Sequence, residues 1–285
     1  MLHAGTILDK FNGYTILDCE TCKFAHVDPY PPQSELDRIY RDDYYTVTKP
    51  NFIREREEDR AWWEMTYDTY FENYSQWITG ATAFLDVGCG PGFFLQRGVV
   101  HGFTCMGVES NLKAREYARS MLGDDVQITS ALYELPTRSV HVVGLYETLE
   151  HIPNPRQFIM GLVPLIAPDG LLWITVPNDY NPLQLRLRDL GYPPYWLAPP
   201  HHVNYFNHLS IQHLMERCGF ETVHATATYP MEWFLLSGRN YTVDPELGRQ
   251  CHRERVQFEM NLGSDRLSLY RSFHYHGIGR ESIVI

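Results

Sequence analysis

Leu85-Asp86-Val87-Gly88-Cys89-Gly90-Pro91-Gly92 decides how this chain is read. An apolar run ends in three glycines and gives way to a helical pattern. The backbone turns sharply there, with no Cβ in the way of a ligand. Dinucleotide-binding turns read Gly-x-Gly-x-x-Gly. Here the third glycine comes one place early, at Gly92, and Phe93 holds the position that pattern needs. A dinucleotide pyrophosphate is therefore not the expected guest.

Beyond the loop, hydrophobic periodicity alternates. Strands are expected at Ala83–Val87, Thr104–Glu109, Val126–Thr129, Val140–Tyr146 and Gly170–Val176, and helices at Gly92–His101, Leu112–Leu122 and Arg156–Ile166. That order predicts βαβ units and a parallel sheet covered on both faces. Ser210–Cys218 reads as a helix stopped by Gly219, Glu221–Thr228 as a sixth strand, Pro245–Ser272 as helical and Gly279–Ile285 as a last strand. Upstream, residues 1–50 read as irregular, with a short helix at Ser34–Arg41. A long helix follows from Arg54 to Thr79, with Trp63, Tyr67, Tyr70, Tyr74 and Trp77 on one face. That stripe is expected to pack on the domain after it.

Composition narrows the function. The 285 residues carry 24 Lys and Arg against 35 Asp and Glu, a net charge of -11, which argues against a protein built to grip a nucleic-acid backbone. The most apolar stretch, Phe158–Val176, is interrupted by Pro164, Pro168, Asp169 and Gly170, so no membrane span is expected. Met1–Lys10 does not read as a secretory leader, and six scattered cysteines suggest reduced thiols and a cytoplasmic setting.

The second strand ends in Glu109, where a carboxylate accepts the two hydroxyls of a ribose. Together with the loop, this makes the chain resemble the class I S-adenosylmethionine-dependent methyltransferases over roughly residues 81–228. Leu149-Glu150-His151-Ile152-Pro153-Asn154-Pro155 is similar to the segment after that family's fourth strand, and Gly170–Asn178 to its fifth strand with a Pro-Asn ending. The resemblance implies a Rossmann-like seven-stranded, mainly parallel α/β sheet with helices on both faces. It implies a helical N-terminal extension (1–80), a cofactor-binding core (81–228), a helical insertion between strands six and seven (229–277) and a closing strand (278–285). It implies S-adenosylmethionine as cofactor, held at Asp86, Gly88, Gly90, Gly92, Glu109, Ser110, Ala131, Leu132 and Tyr146. Two positions depart from the family: Ser130-Ala131-Leu132-Tyr133 lacks an Asp common after strand three, and His141 replaces an Asp at the start of strand four.

Histidines are the expected bases. His151 follows strand four, and His201-His202-Val203-Asn204-Tyr205-Phe206 follows strand five after a Pro- and Tyr-rich loop. All three histidines are candidate catalytic groups, with loop anchoring as the alternative role; adjacent histidines do not easily face the same way. Asn204 and Tyr205 are candidates to orient an acceptor. His201, His202, His208 and His213 lack compact metal-ligand spacing. Cys19-x-x-Cys22 with His26 has zinc-ligand residue types, but a second Cys pair is missing and His3 is the only spare ligand nearby. Similar segments precede some members of the family, so no metal is expected.

The insertion is positioned to cover the acceptor, with Met231, Trp233, Phe234, Arg239, Tyr241, His252 and Arg255 as contacts and Tyr44 and Tyr45 on the opposite side. A protective cap or a homodimer surface is the alternative. The expected activity is O-methylation of a small polar acceptor such as a sugar or nucleotide-sugar. A quinone-like or polyketide-like hydroxyl, or a non-catalytic cofactor-binding module, is the alternative. A small-molecule acceptor, with no nucleic acid and no membrane, completes the expectation.

Overall fold

The computed structural model describes residues 3–74, 77, 80, 83–135, 137 and 140–285, without the side chains of residues 73 and 74. Its strands are β1 Gly5–Phe11, β2 Tyr14–Cys19, β3 Ala25–Asp28, β4 Ala83–Val87, β5 Thr104–Val108, β6 Gln127–Thr129, β7 Val140–Tyr146, β8 Ile166–Pro177, β9 Asn204–Tyr205, β10 Ala225–Ala227 and β11 Glu281–Val284. Seven of them form one sheet in the order β10-β11-β8-β7-β4-β5-β6. β4 pairs in parallel with β5 and β7, and β5 with β6. β11 is antiparallel to both β8 and β10. The chain leaves β4 in one direction for β5 and β6 and then crosses to β7. The switch point thus lies between β4 and β7, where open α/β sheets bind ligands at the strands' carboxyl ends.

The chain packs as two compact units, one of residues 32–148 and 157–173, the other of residues 1–31, 149–156 and 174–285. In the first, β4 is buried along its whole length and β7 along most of it, as expected of central parallel strands. His141, at the start of β7, accepts a hydrogen bond from the Ala83 amide at 3.2 Å, so the departure from Asp there has a local structural use. The long helix expected from Arg54 to Thr79 is broken at Asp59 into Phe52–Glu58 and Arg60–Tyr74. Its aromatic face packs inward: Tyr67 lies 4.9 Å from Phe94 and Tyr70 lies 4.6 Å from Trp173, ring centre to ring centre. The side chain of Tyr74 and residue Thr79 fall outside the described residues.

The start of the chain corrects the expectation that residues 1–50 are irregular. β1, β2 and β3 form an antiparallel meander, joined by β9 as a fourth strand. The cause is local and visible in the sequence. Asn12-Gly13 takes φ of 50° and 83°, the left-handed pair that a tight hairpin turn requires between β-branched runs. The helix near residue 34 covers Gln33–Arg38, and Ile39–Thr48 then winds as a wide π-helical segment. Its last turn closes through Lys49 N–H to Tyr44 C=O at 2.7 Å.

After β8 the helix His208–Arg217 begins in a capping box made by Asn207 and Ser210. Between β10 and β11 lie three helices: Glu232–Leu236, Pro245–Leu262 and Arg266–Tyr275. The expected Pro245–Ser272 helix is broken at Gly263, whose φ is +53°. Ala227, Tyr229, Phe234, Cys251, Tyr270 and Phe273 form a common core under this segment.

Candidate active site

In the first unit the glycine turn is built by close approach. The Gly88 and Cys89 amides both donate to the Val108 carbonyl, at 2.7 and 3.1 Å. Gly88 has φ of 81°, and a Cβ there would stand 2.5 Å from Thr148 Oγ1. Gly90, with φ of 51°, faces the Tyr45 hydroxyl, which would lie 2.5 Å from a Cβ. Gly92 serves packing instead. Its open side meets Ala118 and Leu122, so it seats one helix on the next.

Two buried carboxyls flank the turn. Glu109 accepts the Gly90 amide at Oε2 (2.9 Å) and the Asn111 amide at Oε1 (2.6 Å). Each oxygen keeps further acceptor capacity. Burial raises its pKa, and the two amides and the Arg115 charge partly offset that. Asp86, inside β4, is fully buried, and its Oδ1 has no hydrogen-bond partner. Its pKa is pushed up to about 8, first by burial and then by the charge of Glu109. An unpartnered oxygen held this deep is costly unless something pairs with it.

The remaining expected contacts lie at the ends of β5, β6 and β7 and in the turns after them. Ser110 is exposed and accepts Arg115 Nη1 through its carbonyl at 2.8 Å. Ala131 and Leu132 are half-buried at the turn after β6. Tyr146 ends β7 with its ring edge-on to Tyr67 at 5.8 Å. Tyr45, assigned from the sequence only to a wall, stands on the loop itself. Burial and the neighbouring Glu109 push its pKa far up, so it stays a neutral phenol able to donate. Asn111 holds its segment in place by donating to the Arg41 carbonyl at 2.9 Å.

The second unit holds the histidines. His151 Nδ1 donates to the His201 carbonyl at 2.8 Å, a tautomer that leaves the lone pair on Nε2. That Nε2 lies 3.8 Å from Oε1 of the buried Glu150. The His202 ring stands edge-on to His151 with centroids 4.9 Å apart. Ligand atoms of Glu150, His151 and His202 lie within 4.8 Å of one another. His201 joins this group through its backbone carbonyl. His208 instead bonds the Ile278 carbonyl at 3.0 Å, and burial lowers its pKa to about 4. His213 pairs with Glu216 on an exposed helix face.

Several acceptor candidates prove to be structural. Asn204 is fully buried and spends Nδ2 on the Leu149 and Ile152 carbonyls while Oδ1 accepts from Tyr30. Tyr205 donates to the His202 carbonyl at 3.1 Å. Arg255 is buried against Glu259, and Phe234 belongs to the helical core.

Sequence reasoning missed a buried polar group in the same unit. Asp179 Oδ2, Glu232 Oε2, Gln184 Oε1 and Trp196 Nε1 are all buried without hydrogen-bond partners. Burial and the charge of Glu232 raise the Asp179 pKa well above the usual range, and burial with Glu232 and Tyr241 does the same for Tyr195. Asp179 sits just past β8 and Glu232 lies 53 residues later, so no local spacing could have joined them.

A family model described as a methyltransferase domain matches residues 66–225. The chain belongs to this methyltransferase domain family. The ubiquinone biosynthesis O-methyltransferase of Rickettsia conorii is 30% identical over 131 residues, covering 44% of this chain and 45% of that protein. The protein of the same name from Azoarcus is 33% identical over 101 residues, covering 33% and 43%. The chain thus spans about half the length of the curated relatives it matches. A SAM-dependent methyltransferase structure from Archaeoglobus fulgidus superposes with a TM-score of 0.50 at 14% identity, over 78% of this chain and 92% of that one. For the methyltransferase domain this last likeness concerns the fold, and it accords with the sheet order above.

Proposed function

We propose that the chain is an S-adenosylmethionine-dependent O-methyltransferase acting on a hydroxyl of a small, sugar-like acceptor. One observation carries the reading: two buried carboxyls, Asp86 and Glu109, flank a glycine cradle at the sheet's switch point, and Asp86 Oδ1 has no hydrogen-bond partner. The residues fit the cofactor. Glu109 has acceptor capacity for the ribose hydroxyls, Asp86 for the methionine ammonium, and Gly88 and Gly90 admit close backbone approach. Ala131 and Leu132 would flank the adenine. When bound, S-adenosylmethionine supplies an electrophilic methyl on a sulfonium.

His151 Nε2 accepts the proton of the acceptor hydroxyl in this scheme, and Glu150 stabilises the resulting imidazolium. His202 positions the His151 ring by edge contact. The partnerless atoms of Asp179, Glu232, Gln184 and Trp196 favour a polyhydroxylated acceptor, because each hydroxyl both donates and accepts. A phenolic, quinone-like hydroxyl is the second reading, and the names of the curated relatives favour it.

A methyl-release assay over sugars, nucleotide-sugars and phenols tests the proposal. Product formed only on phenols overturns the sugar reading and leaves methyl transfer standing. Cofactor bound with no product on any acceptor makes the chain a binding module.

The Asp86 carboxyl adds a pH dependence. With a pKa of about 8 in the free site, it must shed a proton before pairing with an ammonium group. Cofactor affinity therefore rises with pH, by up to about tenfold per unit below pH ~8, and levels off above it. Calorimetry between about pH 6 and 8 should show this slope, and Asp86→Asn should flatten it. A slope that survives in Asp86→Asn assigns the proton to another group.

A further inference from the structure

We propose that His3, Cys19, Cys22 and His26 bind one zinc ion, which pins the start of the chain to the turn between β2 and β3. One ligand atom from each of the four lies within 4.8 Å of the others. His3 Nδ1 is 3.4 Å from Cys19 Sγ and 3.4 Å from Cys22 Sγ. With Zn–S of about 2.3 Å and Zn–N of about 2.0 Å, tetrahedral angles place a nitrogen and a sulfur about 3.5 Å apart. The observed separation already suits a shared metal.

His26 supplies an independent observation. Its ring is fully buried, and Nδ1 donates to the Val27 carbonyl at 2.7 Å. Nε2 is left with a lone pair and no hydrogen-bond partner. Metal-bound histidines are commonly oriented in this way, one ring N–H given to a carbonyl and the other nitrogen given to the metal. The ring is further held by stacking on Tyr30, with centroids 4.9 Å apart and planes at 11°.

The turn closes around the two sulfurs. The Cys22 amide donates to Cys19 Sγ at 3.4 Å, a bond that favours the charged sulfur. Lys23 takes φ of +67°, and its amide returns to the Cys19 carbonyl at 2.8 Å, closing the loop around the sulfurs. Two thiolates and two neutral imidazoles balance the charge of Zn²⁺, so burying the set leaves no net charge. Four protein ligands fill a tetrahedral shell and leave no open position, which makes the site structural rather than catalytic. The sequence alone argued against a metal because it offered one Cys pair. The fold brings His3, 16 residues before Cys19 along the chain, within 3.4 Å of both sulfurs.

The test is metal analysis of the full chain, expressed with zinc supplied and purified under reducing conditions. About one zinc per chain is expected. Cobalt exchanged into the site should show thiolate-to-metal charge transfer and the visible bands of tetrahedral coordination. Cys22→Ser should lose the bound metal. Because that variant could also fold poorly, His3→Ala provides a second arm, altering a half-buried residue near the chain start. It should weaken zinc in competition with a chromophoric chelator by at least about tenfold. Metal-free protein, a Cys19–Cys22 disulfide recovered without zinc, or unchanged affinity in His3→Ala each overturns the proposal.

Discussion

Glu109→Ala is expected to weaken S-adenosylmethionine binding by at least about 100-fold, measured by calorimetry on folded protein. Two losses add. The ribose hydroxyls lose a charged acceptor, and two charge-assisted hydrogen bonds together are worth about 3 kcal/mol or more. The Gly90 and Asn111 amides, which now donate to the two carboxylate oxygens, lose their acceptor inside a buried site. The glycine turn then relaxes away from the shape that admits the cofactor. Glu109→Gln should recover part of the loss, since its amide oxygen can still accept one of the two backbone N–H groups. Undiminished binding in Glu109→Ala would remove the cofactor assignment, and a large fall in melting temperature would show that the carboxylate mainly stabilises the loop.

His151→Ala should lower kcat by roughly 10²–10⁴-fold and leave cofactor affinity unchanged, the range expected when a general base is removed. The Nδ1–H bond to the His201 carbonyl fixes the tautomer, so Nε2 is the ring nitrogen that carries no proton. Only the neutral ring serves as a base. His202→Ala should cost less, because its ring supports His151 by an edge contact. Full turnover in His151→Ala would mean that alignment of the reactants alone carries the rate, which can contribute several kcal/mol without any base.

Parts of this site were legible from the chain because the chemistry is local. Gly88 and Gly90 adopt φ values that side chains resist, and both face groups that would collide with a Cβ, so a glycine turn announces itself in eight residues. Glu109 is legible for a related reason: a parallel strand delivers its last residue to the same sheet edge as the turn. The Asn12-Gly13 hairpin was equally local, yet the surrounding Pro and Tyr residues masked it as irregular chain. Asn204 shows the opposite case. Its residue type suits ligand contact, but three buried hydrogen bonds commit it to holding the chain around residues 149–152.

Strand periodicity, glycine conformation and a strand-end acid act over short separations, so the linear chain was enough to specify the α/β core, the family resemblance and the glycine turn. Three other matters were settled by folding. It gave Gly92 to helix packing, brought Asp179, Gln184 and Tyr195 beside Glu232, and closed the distances among His3, Cys19, Cys22 and His26. The cause is common to all three. A side chain's role depends on which distant atoms desolvate it or leave it without a partner, and spacing along the chain carries no record of that.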